Sequence, residues 1–282
     1  MIKTKRDLLL LNFLADYGIL STKQIAHLFF TDVNIRTVLR RLRILEENKL
    51  IRRSGKLEAN NEFLWLVTEK TGNDLGKKYL KLFCSKANIG HDCQLTSLRL
   101  ILEKLGLVNH WISEHEIKGH IFSKYKMRDA KDKHIPDAIF DSEVAGYKVA
   151  SAIELELTLK SKDRYKKIIN QYLYKDDLHS VWYFVNSRSL LNALKDQFSK
   201  SYSSFSQVKI FFTLLSDLKT NGVNAKMIGL NSTSLIKNYF SSAIDSAHTN
   251  AHEVSTLTEN MIDGNINLTS QNHTPNLESG FI

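Results

Sequence analysis

Three acids near the middle of the chain have the types and spacing to hold a divalent cation. Asp137 follows Pro136, sixteen residues separate it from Glu154, and Glu156 lies two further on. In Ile153-Glu154-Leu155-Glu156-Leu157, strand alternation puts Glu154 and Glu156 on one face and the three apolar residues on the other. Two carboxylates on one face repel unless something cationic lies between them. A hydrated Mg2+ or Mn2+ held by Asp137 and Glu154 would supply that charge. Lys160, Lys162 and Arg164 follow at once, placed to meet phosphate oxygens. The plainer alternative is a strand carrying two solvated glutamates.

A second constellation is basic. After Thr31-Asp32 the periodicity predicts a helix to about Asn48, with Ile35, Val38, Leu39, Leu42 and Leu45 facing inward. Its other face shows Asn34, Arg36, Thr37, Arg40, Arg41 and Arg43. A helix that docks by an apolar stripe and presents guanidinium and amide groups has what is needed to reach phosphates and base edges in a major groove. Leu50 to Ser54 and Phe63 to Thr68, joined by a polar turn at Gly55 to Asn61, read as a two-stranded wing, where Arg52, Arg53 and Lys56 would touch the nucleic-acid backbone. The alternatives are a solvated arginine-rich helix in a bundle, or a winged helix that binds protein.

Two earlier helices are needed to position that surface. Lys5 to Tyr17 carries Leu8, Leu11, Leu14 and Ala15 at helical spacing and stops at Gly18. Ser21 and Gln24 form a capping box that starts a helix through Phe29, with Ile25, Leu28 and Phe29 as its stripe. Residues 1–80 therefore read as a winged helix-turn-helix.

The acids need a different frame. A helix over 91–105, opened by His91-Asp92, precedes a strand around Trp111 to Ile117 and a basic, mobile-looking stretch from Lys118 to Lys133. Strands at Ile135 to Phe140 and Lys148 to Leu157 follow, then a helix from Ser161 to Tyr174. A strand at Val181 to Val185, a helix at Leu190 to Ser199 and a strand at Val208 to Thr213 complete the series. Proline at a strand start costs the ladder no needed N–H, so Pro136 sets Asp137 at the beginning of a strand. The pattern predicts an α/β domain with a mixed sheet over 88–235, and an α+β fold overall. Residues 240–282, rich in Ser, Thr, Asn and His, read as a disordered tail.

Composition narrows the class. Hydrophobic residues make up 43%, enough for packed cores. No apolar run approaches a membrane span, and Leu8 to Leu11 lacks the cleavage site of a secretory signal. The only cysteines, Cys84 and Cys93, are too few for a disulfide framework, so a reducing cytoplasm is expected. Net charge is +9, and setting aside five acids in residues 240–282 leaves +14 on residues 1–239. Such a body attracts polyanions, and double-stranded DNA is the expected partner. His115 with His120, and His248 with His252, read as solvated or incidental rather than as metal pairs, and no Gly-rich phosphate loop occurs.

Pro136-Asp137 and Glu154-Leu155-Glu156 resemble the signature of PD-(D/E)XK nucleases. That resemblance implies that Asp137 and Glu154 bind metal. Glu156 stands where a lysine usually activates water, which leaves open whether Glu156 or Lys160 does so. It also implies auxiliary roles for His91 and Asp92 on the preceding helix and for Gln171 on the following one. Joined to the N-terminal winged helix, this core resembles MobC-type plasmid mobilisation proteins and the wider replication-relaxation group, over roughly residues 5–215. The implied activity is nicking of DNA at a transfer origin, with an accessory mobilisation protein as a further partner. Relaxases of the common type use a His-hydrophobic-His metal site and a transesterifying tyrosine. This chain has no His-x-His, which favours hydrolytic nicking, although Tyr165, Tyr172 and Tyr174 are present. A winged-helix regulator without enzymatic activity is the alternative.

Overall fold

A computed structural model describes residues 2–57, 61–124, 133–144, 147–173, 177–201 and 208–240. The expected tail past Phe240, Tyr174, the tip of the expected wing turn and most of the basic stretch beyond Lys124 lie outside the described residues. The fold is α+β. Its contacts form two compact units, one of residues 1–100 with 112–137, the other of 101–111 with the described residues from 138 onward.

The first unit begins with α1 (Lys5–Tyr17), capped by Thr4 and Asp7 and ended by Gly18 at φ 82°. After β1 (Leu20–Ser21), the expected Ser21–Gln24 capping box starts α2 (Thr22–Phe29). Asn34 caps α3 (Ile35–Glu47), which leads into the antiparallel strands β2 (Ile51–Leu57) and β3 (Glu62–Val67). The sheet order is β1-β3-β2. Leu10, Leu11, Leu14, Ile25, Val38, Leu42, Leu45 and Trp65 form its core.

Three residues assigned inward by periodicity are exposed: Leu8 at 41%, Ile35 at 45% and Leu39 at 38%. The α3 arc that packs is narrow, centred on Val38, Leu42 and Leu45, and Ile35 and Leu39 fall on its flank. Gly55 is also not the start of a turn. The strand runs on to Leu57 through a bulge between Arg53 and Gly55, at a φ of 153° that suits glycine. A Cβ there would lie 2.9 Å from Ile89 Cδ1.

Beyond α4 (Glu69–Asp74), α5 (Ile89–Lys104) is built into this unit by its first three turns. Ile89 and Cys93 join Ile19, Leu64, Leu66 and Cys84 in a second cluster. Thr96 Oγ1 donates to the Ile19 carbonyl at 3.0 Å, and Gln24 Nε2 to Ser97 Oγ at 3.0 Å. The division between units thus runs through α5 between Leu100 and Ile101, whereas composition places a boundary near 80–88. The strand expected over Trp111 to Ile117 is β4 (Asn109–Ser113), followed directly by α6 (Glu114–Lys124), so the first part of the expected basic loop is helical. Ser113 starts that helix: Glu116 Oε2 accepts its N–H at 2.8 Å and its hydroxyl at 2.6 Å.

The second unit is built on a mixed sheet with strand order β10-β9-β8-β7-β6-β5-β4. β5 (Ala138–Val144) and β6 (Tyr147–Glu156) form a hairpin, with Ala138 opposite Ile153. β6 pairs in parallel with β7 (Ser180–Val185), and β7 with β8 (Lys209–Leu214). The crossovers are α7 (Lys162–Leu173) and α8 (Arg188–Ser201). Past residue 213, where the pattern predicts no element, come α9 (Leu215–Asn221), β9 (Lys226–Gly229), β10 (Thr233–Leu235) and α10 (Ile236–Tyr239). β9 extends the sheet antiparallel to β8. Trp182, Phe211, Tyr239 and Phe240 pack as edge-on and tilted rings, while Tyr183, Phe198 and Phe212 form a second aromatic group. No described helix is long and apolar enough to cross a membrane.

Candidate functional site

β6 carries the two glutamates into an environment that a period-2 reading does not anticipate. Strands covered on both faces bury polar and apolar alternates alike. All six residues from Ser151 to Glu156 are buried, Glu154 at 4% and Glu156 at 3% exposure, so the alternative of two solvated glutamates does not hold. Their partners come from the crossover that follows. Tyr172, on α7, donates its hydroxyl to Glu154 Oε1, and Lys160 forms an ion pair with Glu156. The Tyr165 hydroxyl accepts the Lys160 N–H at 3.1 Å. Tyr165 and Tyr172 are two turns apart, on the stripe that α7 buries.

The charges respond to that burial. Burial, reinforced by the neighbouring Glu154, pushes the Glu156 carboxyl above its ordinary value against the pull of Lys160. Burial and the two carboxylates raise the Tyr165 hydroxyl as well. Arg164 is exposed in the first turn of α7, its N–H directed to Ser161 Oγ, and Gln171 is half-buried on the same helix.

The other predicted residues of the acidic site gather in the first unit. His91 Nε2 lies 3.2 Å from Asp137 Oδ2, and its Nδ1 is 3.6 Å from Asp92 Oδ1. Asp92 Oδ2 also takes the Lys81 ammonium at 2.7 Å and the Cys84 thiol at 2.9 Å. Burial opposes charge on His91, but the Asp137 and Asp92 carboxylates outweigh it and push the imidazole up to about 10. Asp92 is drawn down to about 2, its burial overcome by His91, Lys81 and Cys84. His91, Asp92 and Asp137 are thus one set joined by a hydrogen bond and an ion pair, with Lys81 and Cys84 as members that no motif pointed to.

Asp137 itself immediately precedes β5, and Glu154 immediately follows the residue opposite β5's first position. Among the described residues no group of three or more His, Cys, Asp and Glu side chains is arranged to hold a metal ion. Asp137 lies in the first unit and Glu154 in the second, and each is engaged within its own unit, Asp137 by His91 and Glu154 by Tyr172.

The basic surface is partly committed to the fold. Arg36, Thr37, Arg40 and Arg43 are exposed on α3, and Asn34 Oδ1 caps the helix by accepting the Arg36 N–H at 2.9 Å. Arg43 pairs with Glu47 at the surface. Arg41 instead turns inward to Asp7, its Nε 2.9 Å from Oδ1, where the aspartate side chain is fully buried. On the hairpin, Arg53 pairs with Glu46 and covers the Phe63 ring at 4.7 Å. Lys56 lies over that ring at 4.6 Å, and Arg52 is half-buried. His115, expected to be solvated, is half-buried and 3.1 Å from Ser113 Oγ, and burial with Lys81 and Arg99 nearby depresses it to about 3.

The replication-relaxation family matches residues 11–175, more than half of the chain. The chain belongs to that family. Membership suggests a role in plasmid replication or mobilisation. The replication-relaxation match takes in α3, the hairpin, the His91 cluster, β6 and α7, so every candidate residue described above falls within it. No curated protein and no solved structure matches the chain.

Proposed function

We propose that this protein is a plasmid mobilisation factor that binds double-stranded DNA at a transfer origin and nicks it by hydrolysis. In this reading α1 to β3 is a winged helix-turn-helix, with α3 as the recognition helix and β2–β3 as the wing, and the mixed sheet with its α7 crossover is a PD-(D/E)XK-like nuclease core. The observation that carries it is the burial of Glu154 and Glu156 on a central strand. Burying two carboxylates side by side is costly, and groups kept in such places are candidates for chemistry.

Asp137 and Glu154 are the residues that would hold Mg2+ or Mn2+, which when bound polarises a phosphate and lowers the pKa of water. Lys160 balances Glu156 and is the cation available to developing phosphorane charge; Glu156 is the base available to orient the attacking water. Tyr172 fixes Glu154 through its hydroxyl. Arg36, Thr37, Arg40 and Arg43, with Arg52, Arg53 and Lys56, would contact DNA, as would Asn34 through its side-chain amide. An accessory mobilisation protein would act at the same origin.

The test is relaxation of supercoiled plasmid bearing the cognate origin, with Mg2+ or with EDTA, and with accessory protein supplied. Metal-dependent open-circle product that Asp137→Ala and Glu154→Gln both abolish is expected. Specific binding without nicking would sink the enzymatic half. A second reading, a regulator without enzymatic activity, is favoured by one observation. Glu156 and Asp137 already have cationic partners inside the chain, in Lys160 and His91, as purely structural acids would.

A further inference from the structure

Ile35 and Leu39 are apolar, one helical turn apart, and left in solvent at 45% and 38% exposure. Neither belongs to the core that Val38, Leu42 and Leu45 form on the same helix. Projected at 3.6 residues per turn, the two sit together beside Arg43 and Arg36, with Arg40 on the far side of that basic strip. Asn34 holds the start of the helix in place, so Ile35 occupies its first turn. An apolar pair bordered by guanidinium groups does not suit a basic or a wholly apolar partner. It suits a surface that is anionic at its rim and carries isolated methyl groups in its floor.

The major groove of an A·T-containing duplex is such a surface, because thymine alone presents a C5-methyl there. We propose that Ile35 and Leu39 read thymine methyl groups, and so are specificity-determining residues of the DNA site. The inference rests on the reading of α3 as the recognition helix. The spacing is compatible: four residues rise about 6 Å, close to two base-pair steps of ~3.4 Å. The arginines would then anchor the helix on phosphates or guanine edges, while the aliphatic pair selects thymine between them.

The probe is the set of duplexes that the full chain enriches from a random-sequence duplex library, remade with deoxyuridine in place of thymidine. This exchange removes only the methyl group and leaves the protein untouched. The expected result is a motif with thymines at fixed positions. Loss of each contacted methyl should weaken wild-type binding about fourfold, the equivalent of ~0.8 kcal/mol for one buried carbon. Ile35→Ala/Leu39→Ala should bind more weakly and be indifferent to the exchange. Equal wild-type affinity for both duplexes, with Arg40→Ala still impairing binding, overturns the methyl reading while leaving the DNA-binding reading intact. Enrichment of no duplex at all overturns both. A double variant that turns a dimer into a monomer in sedimentation, yet keeps the wild-type response to deoxyuridine, overturns the proposal in favour of a contact between copies.

Discussion

Arg41→Ala separates a residue that holds the fold from the arginines around it. Arg41 ion-pairs with Asp7, whose side chain has 0% exposure, while Arg41 keeps 20%. Removing the guanidinium leaves a buried carboxylate without its cation, which costs ~3–5 kcal/mol in comparable pairs. Two features move the value toward the lower end. Arg41 is not fully desolvated, and the Thr4 N–H and hydroxyl still donate to Asp7 at 2.7 Å each. We expect a loss of about 3 kcal/mol, and with a urea slope of ~2 kcal/mol/M the midpoint should fall by ~1.5 M. The pH dependence carries the same signature. Burial of Asp7 opposes its charge, but Arg41 and Thr4 overcome it and hold the carboxyl below its ordinary value. The stability this adds is complete above the unfolded-state value near ~3.9 and is lost as pH falls through the folded one. Wild type and Arg41→Ala should therefore converge in acid. The assay is urea unfolding followed by circular dichroism and by tryptophan fluorescence with Trp111 and Trp182 replaced by Phe, which leaves Trp65, buried in the same unit, as the reporter. A variant within ~0.5 kcal/mol of wild type that nonetheless loses duplex binding would refute the argument and make Arg41 a DNA contact.

Other predictions follow the same logic. His115 is held to about 3 by burial and nearby cations, so the first unit should be fully stable above the ordinary histidine value and lose stability as pH falls from 6.5 towards 3. Urea midpoints of His115→Gln measured from pH 8 to 4 should lack that component. Gly119→Ala on α6 should destabilise despite alanine's better helix propensity, because a Cβ there would lie 2.1 Å from Tyr79 Cδ1. A loss of 1–3 kcal/mol is the usual range for overpacking, and a rise in melting temperature would refute it. Lys160→Met should cost on the order of 3 kcal/mol by stranding buried Glu156. Glu156→Gln, which removes a carboxylate that burial already disfavours, should be neutral or stabilising near pH 7 while reducing nicking. Thermal unfolding and plasmid relaxation on both variants distinguish these outcomes.

Much of the first unit was legible because its signals are local. The Ser21–Gln24 box, the Gly18 stop and the Arg-rich third helix act over three or four residues, and the structure has each where periodicity predicts it. Ser113-x-x-Glu116 is an equally local signature for α6, but Trp111 and Ile112 before it, which do belong to β4, extend the strand reading across it to Ile117. Strand alternation likewise put Glu154 and Glu156 on one face without revealing that the face is covered, since burial depends on a crossover helix contributed later in the chain.

What the sequence by itself determined is the first three helices and their hairpin, the strands and crossover helices from β5 to β8, the mixed α+β class and the identity of the acids and arginines, all of which follow from patterns a few residues long. Tertiary structure decided their employment. It took Arg41 out of the exposed basic strip, because a buried Asp7 sits thirty-four residues away in sequence but within hydrogen-bond reach in space. It gathered His91, Asp92 and Asp137 with Lys81 and Cys84 into one polar set. It also left Ile35 and Leu39 in solvent, because the packed arc of α3 is narrower than its apolar sequence. Periodicity reports which residues share a side of a helix; only the packed neighbours decide where the core stops.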